Sequence, residues 1–272
     1  MDIHSTSLPQ ASPTQGYDPE LYAALHRGTE GDYAFYAGLQ ADRVLELGCG
    51  FGRLLDALAV PKRTYVGLDI DWGLLRLADA HLRRRHTKRR SPKHTAGQAA
   101  LVRADMTQFA FNTQFDLIVL PFSGLFCLPS AHAVHHCFEN VRRHLAPRGR
   151  FIIDAYCLDA FHSEAGDDEQ LDSHEDWVAR VNARGTTFDV YEGCLWNRGQ
   201  QQLDTTYRYA PLSGGAERFG RIAHHYLLSN QLRSLLRRAG LGVERAFGGF
   251  HGEPFDPEGD HLLWICRPAG NT

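Results

Sequence analysis

The residues best suited to chemistry are three acids and a cluster of glycines. Glu46-Leu-Gly48-Cys49-Gly50-Phe51-Gly52-Arg53 follows a short apolar run, and Asp69 and Asp105 stand at the ends of two further runs. Glycines placed there let backbone approach a ligand closely at the carboxyl end of a strand. The spacing is G-x-G-x-G. A dinucleotide turn needs a third glycine where Arg53 stands, and the Gly-Lys-Ser/Thr ending of a phosphate loop is absent. The loop therefore favours a nucleoside ligand without a pyrophosphate. A plain tight turn is the simpler alternative, and the companion acids weigh against it. Asp69, 17 residues after Gly52, can accept both ribose hydroxyls and would repel a 2′-phosphate. Asp105 can accept from an adenine amino group. Glu46, Asp69 and Asp105 around one crevice suit a ligand carrying positive charge and hydrogen-bond donors.

These residues need a scaffold that gathers strand ends. Apolar runs at 43–47, 65–69, 100–103, 115–120 and 150–155 read as five strands, and helical patterns over 53–60, 71–85 and 130–145 lie among them. Pro19 to Gln40 carries apolar and aromatic residues at helical spacing. The alternation predicts an α/β fold: a Rossmann-like doubly wound sheet, mostly parallel with the last strand antiparallel. After Tyr156 the rhythm changes. Pieces such as 186–191 and 203–209, with turns at Asn197-Arg-Gly and Ser213-Gly-Gly, read as an inserted antiparallel β subdomain. The expected organisation is a leader and helical lid over 1–40, a core over 41–160, the insertion over 161–226, and a last helix and two strands over 227–272.

S-adenosylmethionine fits the acid set, with its ribose hydroxyls, adenine amine, α-ammonium and sulfonium. At this point the chain resembles a known family. Val44-Leu-Glu-Leu-Gly-Cys-Gly-Phe-Gly-Arg53, Val66-Gly-Leu-Asp69, Ala104-Asp105-Met106 and Phe115-Asp-Leu-Ile-Val119 look like the successive motifs of class I S-adenosylmethionine-dependent methyltransferases. Leu145-Ala-Pro-Arg-Gly-Arg-Phe151 resembles the turn before their fifth strand, with Arg148 in place of a glycine. The resemblance implies that Glu46, Gly48, Cys49, Gly50, Gly52 and Arg53 line the methionine end and that Asp69 holds the ribose. It also implies that Ile70 packs on the adenine, with Asp105 and Met106 at its edge. Core packing explains Ile70 and Met106 equally well when each is taken alone. Pro121 and Phe122, which come after the fourth strand, are assigned to the cofactor on the same grounds.

The acceptor is read from the loop after the fourth strand, from the N-terminal segment and from the insertion. Pro121-Phe-Ser-Gly-Leu-Phe-Cys127 lacks both the acidic-or-Asn-Pro-Pro-aromatic signature of adenine amino methylation and the Pro-Cys nucleophile of cytosine C5 methylation. Tyr17-Asp18 with Gly31-Asp32-Tyr33 resembles the lid of small-molecule N-methyltransferases acting on amino sugars and similar amines. The insertion resembles their substrate-binding block. That resemblance implies a small-molecule acceptor methylated on nitrogen or oxygen by in-line displacement. Relatives often carry His near Cys127, so the family assigns no base here. Tyr156, His162, His224 and His225 are candidate bases, each with a packing or surface role as its alternative. Tyr17, Tyr22 and Tyr33 can close over a sulfonium, or simply form an apolar helix face. No metal is expected. His132 and His136 stand i, i+4 but lack the Glu of H-E-x-x-H, and only Asp154 and Asp159 are available for a catechol-type site.

Charge and composition bound the rest. The 272 residues include 29 Lys and Arg against 32 Asp and Glu, a net −3. Seven of the basic residues (Arg83, Arg84, Arg85, Lys88, Arg89, Arg90 and Lys93) form one run without an acid, which leaves the remainder at −10. Such a run is either a phosphate grip, as an RNA methyltransferase would use, or a solvated loop. It falls between a helix and the next strand, at the edge of the sheet opposite the cofactor crevice, which favours the loop. The acidic remainder suits a cationic acceptor over a polyanion. A non-catalytic cofactor-binding module is the third reading. Six scattered cysteines without Cys-x-x-Cys, no signal peptide and no apolar stretch of membrane length point to a cytoplasmic chain. Analogy alone suggests a homodimer through the inserted sheet.

Overall fold

A computed structural model describes residues 16–88, 98–164 and 175–270; for 86–88 it describes backbone only. Most of the leader, the end of the basic run (Arg89, Arg90, Lys93) and much of the acidic stretch after Phe161 lie outside the described residues. Two sheets carry the fold. The first has seven strands: β1 (Arg43–Leu47), β2 (Thr64–Asp69), β3 (Ala99–Arg103), β4 (Phe115–Leu120), β5 (Leu145–Tyr156), β10 (Leu241–Phe247) and β11 (His261–Pro268). Their order is β10-β11-β5-β4-β1-β2-β3. Neighbours pair in parallel except that β11 runs antiparallel to β5 and β10. This is the doubly wound α/β sheet with a reversed last strand that the apolar runs imply.

Alternation along each strand divides the core between the two faces of the sheet. Leu45, Leu47, Ile118, Leu120 and Ile153 pack with α5 (Ala131–His144) and α7 (Ser229–Arg238). Val44, Tyr65, Leu117, Val119 and Ile152 pack on the opposite face, against α2 (Asp32–Gly38), α3 (Leu55–Leu58) and α4 (Trp72–Lys88). Two expected helices are shorter than their patterns. Residues 53–60 give only the four-residue α3, because Gly52 to Leu54 complete the ligand turn first. The helical pattern of Pro19 to Gln40 splits into α1 (Pro19–Leu25) and α2. Gly28 and Gly31 break it at φ +98° and +83°, backbone that other residues avoid.

The second sheet is antiparallel and ordered β6 (Asp176–Ala183), β7 (Thr186–Asn197), β8 (Gln202–Pro211) and β9 (Arg218–His225). Its turns fall where Asn197-Arg-Gly and Ser213-Gly-Gly stand. One face carries Val181, Phe188, Val190 and Tyr209, and these bury Leu21 of α1. The lid helix therefore packs on the inserted sheet. Asp18 starts that helix: its carboxylate accepts from the Glu20 N–H at 3.0 Å and pairs with Arg184 at 3.2 Å across the sheet turn.

Candidate active site

The carboxyl ends of β1 to β5 open on one cleft of about 750 Å³. Strand order reverses between β1 and β4, so their ends diverge there and leave a crevice. Gly48, Gly50 and Gly52 of the first turn all have positive φ, at +66°, +54° and +80°. A Cβ on Gly48 would meet nothing nearer than the Met106 methyl at 3.9 Å, so the backbone faces open cleft. The turn is fixed from beneath by Asp69, which accepts from the Gly50 N–H at 2.7 Å and the Asp71 N–H at 2.8 Å. Burial raises the Asp69 pKa, and these backbone bonds act against the rise.

Glu46 is buried at the floor, where the Tyr65 hydroxyl donates to Oε2 at 2.6 Å. That contact requires Gly67 on the neighbouring strand, since a Cβ there would stand 2.7 Å from the Tyr65 hydroxyl. Burial pushes the Glu46 carboxyl up to about 7, against the lowering pull of Tyr65 and Arg53. Arg53 pairs with buried Asp32 at 2.5 Å and lies 5.2 Å from the Phe122 ring centre. The break between α1 and α2 makes room for this pair: a Cβ on Gly28 would collide with Arg53 Nη1.

The assigned residues that line the cleft are Tyr17, Tyr22, Glu46, Gly48, Cys49, Gly50, Arg53, Asp69, Ile70, Asp105, Met106, Pro121, Phe122 and Tyr156. Gly52 does not line it but packs against Leu55 and Ala78 beneath the turn. Tyr33 and His225 are not brought in. Tyr33 is 48% exposed on α2. His225 pairs with Gln202, while His224 pairs with Leu203 one step along, so the two imidazoles point to opposite faces of the sheet. His224 is the one in the cleft, sharing a 2.8 Å hydrogen bond between Nδ1 and the Tyr156 hydroxyl. Burial lowers its pKa to about 4, helped by nearby His26. His162 also stays outside, with Nδ1 at 2.8 Å from the Tyr226 hydroxyl.

Further residues line the cleft without being marked by the sequence motifs, among them Glu192, His26, Asp154 and His261. Glu192 stands on β7 of the second sheet and His26 at the end of α1, while Asp154 and His261 belong to β5 and β11 of the first sheet. Tyr22 and His26 are spaced i, i+4 on α1, a signal the sequence did carry. His261 opens β11 directly opposite Tyr156 of β5. Asp154, 1% exposed, accepts from the Phe122 N–H at 2.9 Å and the Tyr36 hydroxyl at 3.2 Å, and its other oxygen meets His261 Nε2 at 2.9 Å. These bonds hold Phe122 and Ser123 in left-handed backbone at φ +54° and +56°, a conformation that costs non-glycine residues about 1 kcal/mol or more.

The chemistry of this donor and acceptor set fits S-adenosylmethionine: acids for the ribose, adenine and ammonium, Arg53 for the carboxylate, and the stacked rings of Tyr17 and Tyr22 (centres 4.5 Å apart) for the sulfonium. Among the described residues, no group of three or more His, Cys, Asp or Glu could hold a metal ion.

Residues 44–149 match the family model described as a methyltransferase domain. No match was found among curated proteins. Solved structures of similar fold include the CcbJ methyltransferase from Streptomyces caelestis, 20% identical, covering 88% of this chain and 89% of that one at a TM-score of 0.70. They also include S-adenosylmethionine-bound CalS10, an amino pentose methyltransferase from Micromonospora echinaspora (17%, 88% and 88%, 0.60). The sugar N-methyltransferase KedS8 from Streptoalloteichus sp ATCC 53650 is similar as well (17%, 98% and 99%, 0.63). The domain match identifies the chain as an enzyme carrying a methyltransferase domain over residues 44–149, on an α/β fold shared with solved S-adenosylmethionine-dependent methyltransferases.

Proposed function

We propose that this enzyme moves a methyl group to a nitrogen or oxygen of a small, hydroxylated acceptor by in-line displacement, and that it works in the cytoplasm without nucleic acid. One observation carries the reading: the inner face of the second sheet, with Glu192, Cys194, Leu203, Thr205, Tyr207, Ile222 and His224, lines the same cleft as the cofactor residues. A cleft of about 750 Å³ has room for a cofactor and a compact acceptor side by side, and one wall mixes apolar and polar groups. Thr205, Tyr207, Tyr156 and His224 supply hydroxyl and imidazole partners, and Glu192 supplies a carboxylate for a cationic group. The amino pentose and sugar nitrogen specificities of two structurally similar enzymes support the same reading.

S-adenosylmethionine, when bound, supplies a methyl group activated by its sulfonium. The chain's part is placement. Asp69 and Asp105 hold the nucleoside, Glu46 and Arg53 the amino-acid end, and Tyr17 and Tyr22 cover the site and exclude water. Fixing the attacking atom in line replaces a bimolecular encounter, and such placement alone is worth several kcal/mol.

Calorimetry with S-adenosylhomocysteine and a mass screen of amino sugars and cell metabolites test the reading. Binding weakened about 100-fold or more by Asp69→Ala, with a mass gain of one methyl on a small acceptor, is the expected result. Undiminished binding by the variant, or no methylated small molecule, would sink it.

A further inference from the structure

Among the described residues the cleft contains three imidazoles, and one of them is held differently from the others. His224 Nδ1 is engaged by Tyr156 and His261 Nε2 by Asp154. His26 is the C-cap of α1, and its Nδ1 lies 3.1 Å from the Tyr22 carbonyl, which also accepts the His26 backbone N–H at 2.9 Å. A carbonyl can only accept, so Nδ1 carries the proton and Nε2 presents a bare lone pair. No described residue bonds to that Nε2. The ring is clamped on its face by Tyr22, 4.1 Å between centres, and edge-on by Phe122 and Tyr207 at 6.3 and 5.2 Å. Phe122 belongs to the cofactor side and Tyr207 to the acceptor side, so His26 stands at the seam between the two halves.

We propose that His26 is the general base of the reaction, accepting on Nε2 the proton of the attacking nitrogen or oxygen. The assignment rests on the small-molecule reading above. The attacking lone pair forms the new bond to the methyl carbon while the carbon–sulfur bond breaks and its electrons stay on sulfur. The acceptor's proton passes to Nε2, and the resulting imidazolium releases it to solvent when the products leave. The surroundings keep the free ring neutral and ready. Burial lowers its pKa, opposed by the Tyr22 carbonyl bond. The titratable groups that face it are Tyr22 from α1, Tyr207 from β8 and His224 from β9, and Glu192 of β7 lines the same cleft. Tyr22 and Tyr207 are held neutral by burial, and so is His224.

Two measurements test the assignment on the full chain. Nitrogen-15 correlation spectra with S-adenosylhomocysteine, assigned by the loss of one signal in His26→Gln, should show the Nδ1–H tautomer titrating below the ordinary 6.5. An Nε2–H tautomer, or a charged ring at pH 7, overturns the assignment. Kinetics on the acceptor found by the mass screen should show kcat reduced about 100-fold or more in His26→Gln. The acid limb of the wild-type pH profile should vanish, with S-adenosylhomocysteine affinity kept within two-fold. In His26→Gly, added imidazole should restore part of the rate. A variant that turns over at the wild-type rate with the acid limb intact overturns the role of His26 while leaving the small-molecule reading standing. A wild type that methylates no small acceptor overturns both.

Discussion

Glu46 shows what a ligand site asks of one residue. Its position, at the end of an apolar strand and just before the glycine turn, is readable from the sequence. Its electrostatic state is not, because that depends on Tyr65, Gly67 and Arg53 meeting it in the folded chain. A carboxyl raised from 4.5 to about 7 favours the proton in the folded state. The associated stability is therefore complete below about pH 4.5 and lost as pH rises through 7, a cost of about 3 kcal/mol at the limit. Glu46→Gln should melt higher than the parent at pH 8 in the absence of ligand, with the gap closing toward pH 5. The same variant should bind S-adenosylhomocysteine more weakly, since the ammonium loses its carboxylate. Scanning calorimetry across pH reads the first effect and titration calorimetry the second; a gap independent of pH would refute the linkage. Asp69, Asp105 and Arg53 were legible for the same reason as Glu46, because each sits within one or two residues of a strand end or the turn. For His26 the sequence carried only its i, i+4 spacing from Tyr22, because the Phe122 and Tyr207 rings that set it apart meet it only in the folded chain.

The elements explain which residues of a pair matter. In β9, neighbouring His224 and His225 face opposite ways because side chains alternate along a strand. Sequence gives the alternation but not the parity, which was set by where α1 and the cleft lie relative to the sheet. His224→Ala should lower methyl transfer about 10-fold or more by releasing Tyr156, whereas His225→Ala should stay within two-fold of wild type, both read from initial rates. Equal effects would mean that the sheet presents its other face. The loop after β4 is a second case. Its sequence, Pro121-Phe-Ser-Gly124, gives no hint of two consecutive left-handed residues, because the bonds that impose them come from Asp154 on β5. Asp154→Ala leaves the Phe122 N–H and the Tyr36 hydroxyl without their acceptor. It should cost about 3 kcal/mol of stability in denaturant unfolding; a loss below about 1 kcal/mol would show that the loop holds its shape unaided.

At the scale of the whole molecule, charge and topology separate two surfaces. The described part of the basic run ends α4, which descends to the amino edge of the parallel sheet. There Arg85 pairs with Asp56 at 2.9 Å and donates to the Leu55 and Ala59 carbonyls, while Arg83 pairs with Asp79. The cleft opens at the opposite, carboxyl edge. Replacing Arg83, Arg89 and Arg90 with Ala should leave methyl transfer unchanged, and any RNA affinity seen by anisotropy should be unrelated to turnover. Tight, salt-sensitive RNA binding lost together with activity would restore the nucleic-acid reading. The doubly wound sheet was legible at this scale because its buried strands are continuous apolar runs. The attachment of α1 was not, since Leu21 meets partners more than 150 residues away in Val181, Phe188 and Val190. That attachment bears on how specificity could be transplanted. On the proposed reading, the unit that shapes the acceptor space is discontinuous, made of the first helix together with the four-stranded sheet. Grafting the sheet alone onto a related core would strand Leu21, Tyr22 and His26 against a foreign surface, so recombination between such enzymes has to exchange both segments as one part.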